Sequence, residues 1–320
     1  MAVTGAAAGL GRALVERLDQ RDGLGAVRGI DVVTAERLRG VDAVVHLATS
    51  YDIDLDPQER RALNVRGTEA LLTAASAAGV RRVVLVTSAE VYGAAADNPV
   101  PLPDAGPLQA APGPDLLGDH VEIERLISRT SGLQIAVLRP ATLVGAGVGP
   151  SYDGALLRQL SAPRLLAARG REPLWQLCHS EDLLSALELV VVHGLSGPLP
   201  VACEGALPQS AVEKLAGKRR VELPAAVALS TAERLHRLGV STASPRELDH
   251  LVGPVVVGCD RLRAAGWTPS WTNEAALRAY LTELDSGSGR AGAYTAAGAT
   301  VALLGTAALV RQARRRRRGL

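Results

Sequence analysis

The first half of the chain alternates short apolar runs with helical patterns, and this alternation constrains the fold more than any other feature. The apolar runs are AVTG, GAVRGIDVV, DAVVHLATS, RRVVLVTS and LQIAVLRP, and amphipathic segments such as GRALVERLDQ and TEALLTAASAAG lie between them. Apolar strands separated by helices are typical of a parallel sheet that is covered on both faces. We therefore predict an α/β protein with a doubly wound, Rossmann-like parallel sheet.

Changes in composition along the chain predict its organisation. Residues 1–150 carry the regular alternation and form the predicted nucleotide-binding domain. Residues 151–285 mix short helices with brief strands, which predicts a smaller carboxyl-terminal α/β lobe with some segments returning to the sheet. Residues 286–290 are rich in Gly and Ser and have the composition of a flexible linker. A charge-free run (291–310) and an Arg-rich tail (311–320) follow.

The charge-free run AGAYTAAGATVALLGTAALV raises the question of membrane contact. As a helix with a rise of about 1.5 Å per residue, it is just long enough to cross a hydrocarbon core of about 30 Å. It is also rich in Ala, Gly and Thr, so three alternatives stay open: a transmembrane helix, a helix on an anionic membrane surface, or no membrane contact. No secretory signal is visible at the start, so we expect a cytoplasmic protein, with the run as a candidate anchor to the cytoplasmic membrane.

Composition excludes several classes of function. Aromatic residues make up 2% of the chain and Phe is absent, which disfavours the stacking platforms of nucleic-acid-binding proteins. The three cysteines occur without a CxxC pair or a nearby His pair, so we predict neither a metal site nor a disulfide framework. The signatures of P-loop NTPases, zinc proteases and α/β-hydrolases are also missing.

The segment VTGAAAGLGRAL joins the first strand to the first helix and has the pattern of a dinucleotide-binding turn. Gly5 permits a tight turn, Gly9 and Gly11 permit close approach of backbone and helix, and the N–H groups near Leu10 can face a pyrophosphate. The segment GAVRGID ends in Asp31, where a carboxylate at the end of the second strand can accept hydrogen bonds from the adenosine ribose. This carboxylate favours NAD over NADP because it would repel a 2′-phosphate, although an ordinary solvated strand end is the alternative.

The order and spacing of seven short motifs carry a family resemblance. The motifs are VTGAAAGLG (3–11), DAVVHLA (42–48), NVRGT (64–68), GVRRVVLVTSAEVYG (79–93), LRPATLVG (138–145), WQLCHSEDLLSAL (175–187) and AAGWTPS (264–270). With these motifs the chain resembles the extended short-chain dehydrogenases/reductases, the NAD-dependent epimerase/dehydratase family, over most of residues 1–285. The resemblance implies NAD as the cofactor and a carboxyl-terminal lobe over a small-molecule substrate. Members of this branch commonly form homodimers through a helix pair, which here would include residues 113–129.

The resemblance also assigns further residues to the cofactor site. It places Leu47 and Ala48 beside the cofactor and Asn64 near the active site. Thr87 lies at the nicotinamide end, and Pro140 begins the loop that follows the nicotinamide. Ser88 matches the family's serine and is a candidate catalytic residue.

The family's acid/base pair is missing from the motif pattern. The family uses a Tyr and a Lys spaced YxxxK on a helix, where the Lys and the cofactor lower the phenol pKa from about 10. Alignment on VEIERLI puts Leu116 at the Tyr position and His120 at the Lys position. Independently of the alignment, no Tyr has a Lys four residues later. Tyr92 matches a family residue outside the catalytic set, so it is not a candidate proton donor.

The segment GPDLLGDHVEIERL (113–126) is predicted to be the corresponding helix, with Asp115 as its cap. It follows the Pro- and Gly-rich segment 99–114, which we predict to be a surface loop. His120 is a candidate acid or base, but a His among acidic residues in the first turns of a helix is expected to be exposed. His179 and Asp182 match a family segment that is structural, so we interpret them as hydrogen-bonding scaffold.

Two further departures concern the adenine half of the site. Only ten residues separate Asp31 from DAVVHLA, where the family inserts a strand and a helix, so one crossover is expected to be missing. The first strand is also short, which leaves open whether Met1 is the natural start.

The sequence therefore supports three hypotheses about function. The first is a family member that binds NAD without standard turnover, and the second is an active enzyme on a nucleotide sugar or a lipid-like alcohol that uses Ser88 with His120. The third is a cofactor-free protein that acts through protein contacts.

Overall fold

The computed structural model describes residues 1–50, 55–148, 155–237, 245–251 and 253–285. The strands in this part of the chain are β1 (Ala2–Thr4), β2 (Arg28–Ile30), β3 (Ala43–His46), β4 (Arg82–Val86), β5 (Gln134–Pro140), β6 (Thr142–Val144), β7 (Arg164–Ala168), β8 (Leu174–Trp175), β9 (Leu177–His179), β10 (Gly197–Val201), β11 (Leu207–Pro208) and β12 (Arg219–Leu223). The α-helices are α1 (Gly9–Asp19), α2 (Pro57–Arg61), α3 (Gly67–Ala77), α4 (Leu116–Arg129), α5 (Ala155–Ser161), α6 (Ser180–His193), α7 (Gln209–Ala216), α8 (Ala225–Arg237), α9 (Asp260–Ala264) and α10 (Asn273–Asp285).

Six strands form one parallel sheet in the order β10-β5-β4-β3-β1-β2. Helices connect most of them, with α1 between β1 and β2, α3 between β3 and β4, and α4 between β4 and β5. Neighbouring residues of β3 enter different cores: Val45 packs with Leu14 and Leu187 on one face, and Val44 packs with Leu71 on the other. The sheet is thus covered on both faces, and the predicted doubly wound fold is confirmed.

The connection between β2 and β3 is short. Residues 31–42 form turns and no strand or helix, and Leu38 and Val41 are buried and fasten them to the core. Among the described residues, β2 is therefore the outer strand of the sheet on this side. Asp31 lies in the first position after this strand.

A smaller lobe forms around a second apolar core, which includes Leu165, Trp175 and Leu277. Three two-stranded sheets belong to this part: parallel β6-β9, parallel β7-β12 and antiparallel β8-β11. The strand β10 leaves the lobe and pairs with β5 of the main sheet.

The Pro- and Gly-rich segment 99–114, which we predicted to be a surface loop, is partly buried. Most of it is exposed, but Leu102 and Asp104 are buried. The Asp104 carboxylate accepts hydrogen bonds from the backbone N–H groups of Asp260 (3.2 Å) and Arg261 (2.8 Å) at the start of α9. Because these partners are distant in sequence, the local composition could not reveal the anchor.

No helix among the described residues is long and apolar enough to cross a membrane. The predicted linker (286–290), the charge-free run (291–310) and the Arg-rich tail (311–320) lie outside the described residues.

Candidate functional site

Glycines shape the turn that follows β1. Gly5 has φ +69°, and a Cβ there would lie 2.8 Å from the carbonyl oxygen of Leu47. Gly9 has φ +58°, and a Cβ there would lie 2.8 Å from the carbonyl oxygen of Gly147. A Cβ at Gly11 would overlap the carbonyl oxygen of Gly5. The turn after β1 therefore packs backbone to backbone against the turn after β3 and the loop after β6, which leaves no room for side chains.

The turn after β3 is held by Thr4. Its Oγ1 accepts hydrogen bonds from the N–H groups of Leu47 (3.2 Å) and Ala48 (3.2 Å) and lies 2.7 Å from Nδ1 of His46. Since both lone pairs of Oγ1 are used, its proton points to Nδ1, and the ring proton of His46 sits on Nε2. Burial lowers the pKa of His46 to about 4, so the ring is neutral at physiological pH. Thr4 thus fixes the two predicted cofactor contacts, Leu47 and Ala48, beside the glycine turn.

The start of α1 suits an anionic group. Its cap residue, Ala8, makes no side-chain capping bond, and the first turn holds no acidic residue. The N–H groups at Leu10 and Gly11 therefore lie at the positive end of a helix dipole without a competing carboxylate from the same turn. The glycine turn and this helix end together fit the pyrophosphate of a dinucleotide.

Asp31 lies at the same edge of the sheet as the glycine turn. In the register of β1 and β2, Thr4 pairs with Ile30, so Gly5 and Asp31 each follow the last paired residue of their strand. Asp31 is exposed, which leaves its carboxylate accessible to a ribose. The structure thus brings together the turn and the acid that the sequence singled out.

The helix α4 begins as predicted, but His120 does not lie where we expected. Asp115 caps the helix and accepts a hydrogen bond from the N–H of Gly118 (2.8 Å). Leu116 in the first turn is half-buried. The expectation that His120 is exposed is wrong, since only 4% of its surface is accessible. This turn of α4 faces α2 rather than solvent, so burial, and then the positive charge of Arg60, lower the pKa of His120 to about 4.

The neighbouring Asp119 takes part in a buried ion pair. The Nε of Arg60 donates to Oδ2 of Asp119 at 2.9 Å, and Nδ2 of Asn64 donates to the same oxygen at 3.3 Å. Arg61 lies 3.7 Å from the other oxygen. Burial raises the pKa of Asp119, and the hydrogen bond and charge of Arg60 oppose that shift. Sequence reasoning missed Arg60 and gave Asp119 no role.

A second buried ion pair lies one helical turn further along α4. Nε and Nη2 of Arg139 donate to the two carboxylate oxygens of Glu124 at 2.8 and 2.9 Å. Oγ1 of Thr87, a predicted nicotinamide contact, donates to Glu124 at 2.9 Å. The guanidinium of Arg139 also lies 4.8 Å from the ring centre of Tyr92. Sequence reasoning missed Glu124 and Arg139, because an isolated acid and a distant Arg give no local signal.

The remaining candidates have the following surroundings. Ser88 is half-buried, and its Oγ accepts a hydrogen bond from the N–H of Glu90 at 3.1 Å. Pro140 is the buried last residue of β5. The buried Tyr92 donates from its hydroxyl to the carbonyl oxygen of Asp104 at 2.6 Å, and burial raises its pKa. A phenol with a raised pKa that is engaged with a backbone carbonyl is a poor proton donor, in accord with the sequence interpretation.

His179 and Asp182 fasten the lobe. The Asp182 carboxylate accepts hydrogen bonds from the N–H groups of Ser270 (2.7 Å) and Trp271 (3.2 Å). The ring of His179 stacks on Trp271, with ring centres 3.7 Å apart. These contacts are those of the predicted hydrogen-bonding scaffold.

Comparison with known proteins places the chain among relatives of similar sequence. An uncharacterized protein of Mycobacterium tuberculosis is 29% identical over 249 residues, which cover 75% of this chain and 65% of that protein. This chain thus spans just under two thirds of that relative. The 3-diazoavenalumate denitrifying reductase of a Streptomyces species is 32% identical over 195 residues, which cover 58% of this chain and 62% of the reductase.

Solved structures share the fold at low sequence identity. The UDP-glucose 4-epimerase of Thermus thermophilus, in complex with NAD, has a TM-score of 0.61 at 17% identity and covers 89% of this chain and 98% of its own. The dTDP-glucose 4,6-dehydratase DesIV of Streptomyces venezuelae, with NAD bound, has a TM-score of 0.62 at 19% identity and covers 90% of this chain and 97% of its own. Residues 1–201 match the model of the NAD dependent epimerase/dehydratase family. The chain therefore belongs to the NAD dependent epimerase/dehydratase family.

Proposed function

We propose that the protein binds NAD at the carboxyl edge of its main sheet and does not carry out the Tyr/Lys-dependent turnover that the family resemblance implies. The observation that carries the proposal is the contrast between the two halves of the site. The close-packed glycine turn lies beside the start of α1, whose N–H groups suit a pyrophosphate, whereas α4 presents Leu116 and a buried, neutral His120.

The cofactor half of the proposal is supported by the fit of the chain to a dinucleotide. The N–H groups at the start of α1 would hold the pyrophosphate, and Asp31 would accept hydrogen bonds from the ribose hydroxyls. Leu47 and Ala48, which Thr4 holds in place, would flank the cofactor. The NAD that is present in the related epimerase and dehydratase structures points to the same cofactor. Bound NAD would supply a hydride acceptor, and NADH a hydride donor.

The half of the site that would move protons is poorly equipped. Leu116 has no ionisable group, and a His with a pKa of about 4 carries no positive charge near pH 7. Even a Tyr in the place of Leu116 would need a neighbouring cation, or another group that favours the phenolate, to lower its pKa from about 10 toward neutrality. The hydroxyl of Thr87, at the predicted nicotinamide end, donates to Glu124, and that of Ser88, the candidate catalytic residue, accepts a hydrogen bond from a backbone N–H.

Calorimetric titration of the full-length protein with NAD and, in parallel, with NADP tests the proposal. We expect micromolar binding of NAD, weaker binding of NADP, and loss of NAD binding in Asp31→Ala. The matched control is Asp22→Ala, because Asp22 is also exposed but follows α1, away from the carboxyl edge of the sheet. A folded wild-type protein that binds neither nucleotide would refute NAD binding and favour a role through protein contacts.

A second candidate is a reductase that needs no side-chain acid. The similarity to the Streptomyces denitrifying reductase favours it. Hydride delivered to a cationic acceptor gives a neutral product, with or without loss of a neutral group, and so leaves no alkoxide to protonate. The two candidates differ in turnover: a reductase would oxidise NADH in the presence of an electron-poor acceptor.

An enzyme that uses Ser88 and His120 on a nucleotide sugar or a lipid-like alcohol is distinguished by mutation. Its turnover would fall in Ser88→Ala and in His120→Ala. By contrast, the reductase candidate predicts that His120→Ala leaves hydride transfer intact once folding is verified. Absence of turnover with bound NAD would support the first proposal.

A further inference from the structure

A continuous chain of buried and partly buried hydrogen bonds connects the turn after β3 with the start of α4. The backbone N–H of Ser50 donates to Oδ1 of Asn64 at 2.7 Å, and Nδ2 of Asn64 donates back to the carbonyl oxygen of Ser50 at 2.8 Å. The same Nδ2 reaches Asp119 at 3.3 Å, and Asp119 accepts from Arg60 at 2.9 Å. The Nη2 of Arg60 then donates to the carbonyl oxygen of Pro114 at 2.5 Å. We call these five residues the Asp119 network.

The two ends of the Asp119 network lie at functionally different places. Ser50 closely follows Leu47 and Ala48, which are packed against the glycine turn. Pro114 and Asp119 flank Leu116 in the first turn of α4, where the family's acid would stand. The network therefore joins the cofactor edge to the helix that faces the proposed reaction site.

The backbone between α2 and α3 is shaped for this connection. Residues Ala62–Arg66 form a π-helical segment, and Asn64 lies within it. A π-helical turn contains an extra residue relative to an α-helix and is frequently found at functional sites. Here it contains Asn64, whose amide bonds both Ser50 and Asp119.

The buried charges of the network contribute more to a fixed geometry of the joined segments than to the free energy of unfolding. The side chain of Asp119 is fully buried, and that of Arg60 is 4% exposed. Desolvation of a buried pair offsets much of its attraction, so such a pair contributes little net stability compared with apolar packing. Bonds with defined directions do, however, restrict how the joined segments move relative to one another.

We propose that Asp119 is a positioning residue that couples the cofactor edge to the first turn of α4, so that NAD binding and the placement of this turn depend on one another. The coupling rests on the proposed function, because it requires NAD to bind beside Leu47 and Ala48. Asp119 itself is not proposed to touch the cofactor.

The coupling is tested by NAD titration and by amide NMR on the full-length protein. In Asp119→Asn we expect the Kd for NAD to rise by about fivefold or more, a typical size for coupling between sites. In Asn64→Ala, bound NAD should no longer shift the amide signal of His120. The control is Arg66→Gln, since Arg66 is an exposed cation at the end of the same π-helical segment, and both quantities should stay at their wild-type values. An unchanged Kd in Asp119→Asn, or a persistent His120 shift in Asn64→Ala, would overturn the proposal.

Two further measurements test the coupling if Asp119→Asn does not fold or if the wild-type protein binds no NAD. If Asp119→Asn does not fold, the apolar double variant Arg60→Met/Asp119→Leu removes both charges together with their directional bonds and replaces it in the same titration, with the same expected rise in Kd. Amide exchange at Ser50 without NAD tests the mechanical link by itself: exchange should accelerate in Asp119→Asn while core amides such as Val84 keep their rates. If wild-type protein binds no NAD, the proposed function fails, and Ser50 exchange still reports whether the network joins the two segments.

Discussion

Replacement of two helical glycines by Ala should change stability in opposite directions. Gly11 and Gly67 both lie in helical backbone, and Ala is favoured over Gly in a helix by about 0.5–1 kcal/mol. At Gly67 nothing lies within 4 Å of an added Cβ, so Gly67→Ala should stabilise the protein by about that amount. At Gly11 the added Cβ would overlap the backbone oxygen of Gly5.

The overlap at Gly11 cannot be relieved by a side-chain rotation, because its partner is a carbonyl group in the turn after β1. Overpacking of this kind costs about 1–3 kcal/mol, which exceeds the gain in helix propensity. Because the gain in helix propensity is common to both variants, they should differ in unfolding free energy by the overpacking cost alone, about 1–3 kcal/mol, or by about 0.5–1.5 M in urea midpoint for a slope of about 2 kcal/mol per M.

Urea unfolding followed by far-UV circular dichroism measures these midpoints. NAD titration of the same proteins adds a second readout, since displacement of Gly5 would distort the proposed pyrophosphate turn. We expect Gly67→Ala to bind NAD like the wild type and Gly11→Ala to bind it weakly. If Gly11→Ala is as stable as Gly67→Ala and binds NAD equally well, the close packing of α1 on the glycine turn is not the reason for Gly at this position.

Three other outcomes follow from buried groups. Glu124→Ala should destabilise the protein by about 3–5 kcal/mol in urea unfolding, because Arg139 is left buried without its counter-charge, whereas Glu124→Met/Arg139→Met should recover most of the loss. The folded-state pKa of His120 is about 4, below the ordinary 6.5, so the unfolded chain binds more protons between these values. The stabilisation that the neutral ring of His120 contributes is therefore fully present above pH 6.5 and is lost as the pH falls toward 4. The fall between pH 7 and pH 5 should be about 2 kcal/mol smaller in His120→Gln, and an unchanged pH dependence would contradict the burial of this ring. Cys178, Cys203 and Cys259 are buried with raised thiol pKa values, so a thiol reagent at pH 8 should modify them only after unfolding, and rapid labelling of the native protein would show that they are accessible.

The parts of the fold that depend on local pattern could be predicted from the sequence. The glycine turn was predictable because only Gly fits where φ is positive and backbones touch, as at Gly5. The start of α4 was predictable because Asp115 caps it within three residues. Five strands of the main sheet, β1 to β5, were predictable because they are apolar runs between amphipathic helices. The sixth, β10, was not among the predicted runs, since its sequence GPLPV contains two Pro.

Burial inside the site could not be predicted in the same way, because it depends on contacts between distant segments. Arg60 precedes its partner Asp119 by 59 residues, so the acidic neighbours of His120 suggested a solvated face that the fold instead covers. The pairing of Glu124 with Arg139 joins a helix to the following strand across the sheet. Neither ion pair belongs to a sequence motif, and charge alone does not indicate which acidic residue will pair with a buried cation.

Two buried ion pairs on α4 bear on what this helix does. Asp119 binds Arg60 from α2, and one turn later Glu124 binds Arg139 from β5. A helix that only had to cover the sheet could be held by apolar contacts, which avoid the desolvation cost of four charged groups. Directional bonds to two different elements instead fix both the rotation and the translation of α4, so Leu116 and His120 are held at defined places although neither supplies the standard acid or cation. For the proposed function, a helix held at a fixed place would serve a site that binds NAD, or one that transfers hydride without a side-chain acid. Measurement of NAD binding in Asp119→Asn and Glu124→Gln, compared at equal folded fraction, separates this placement from simple stability.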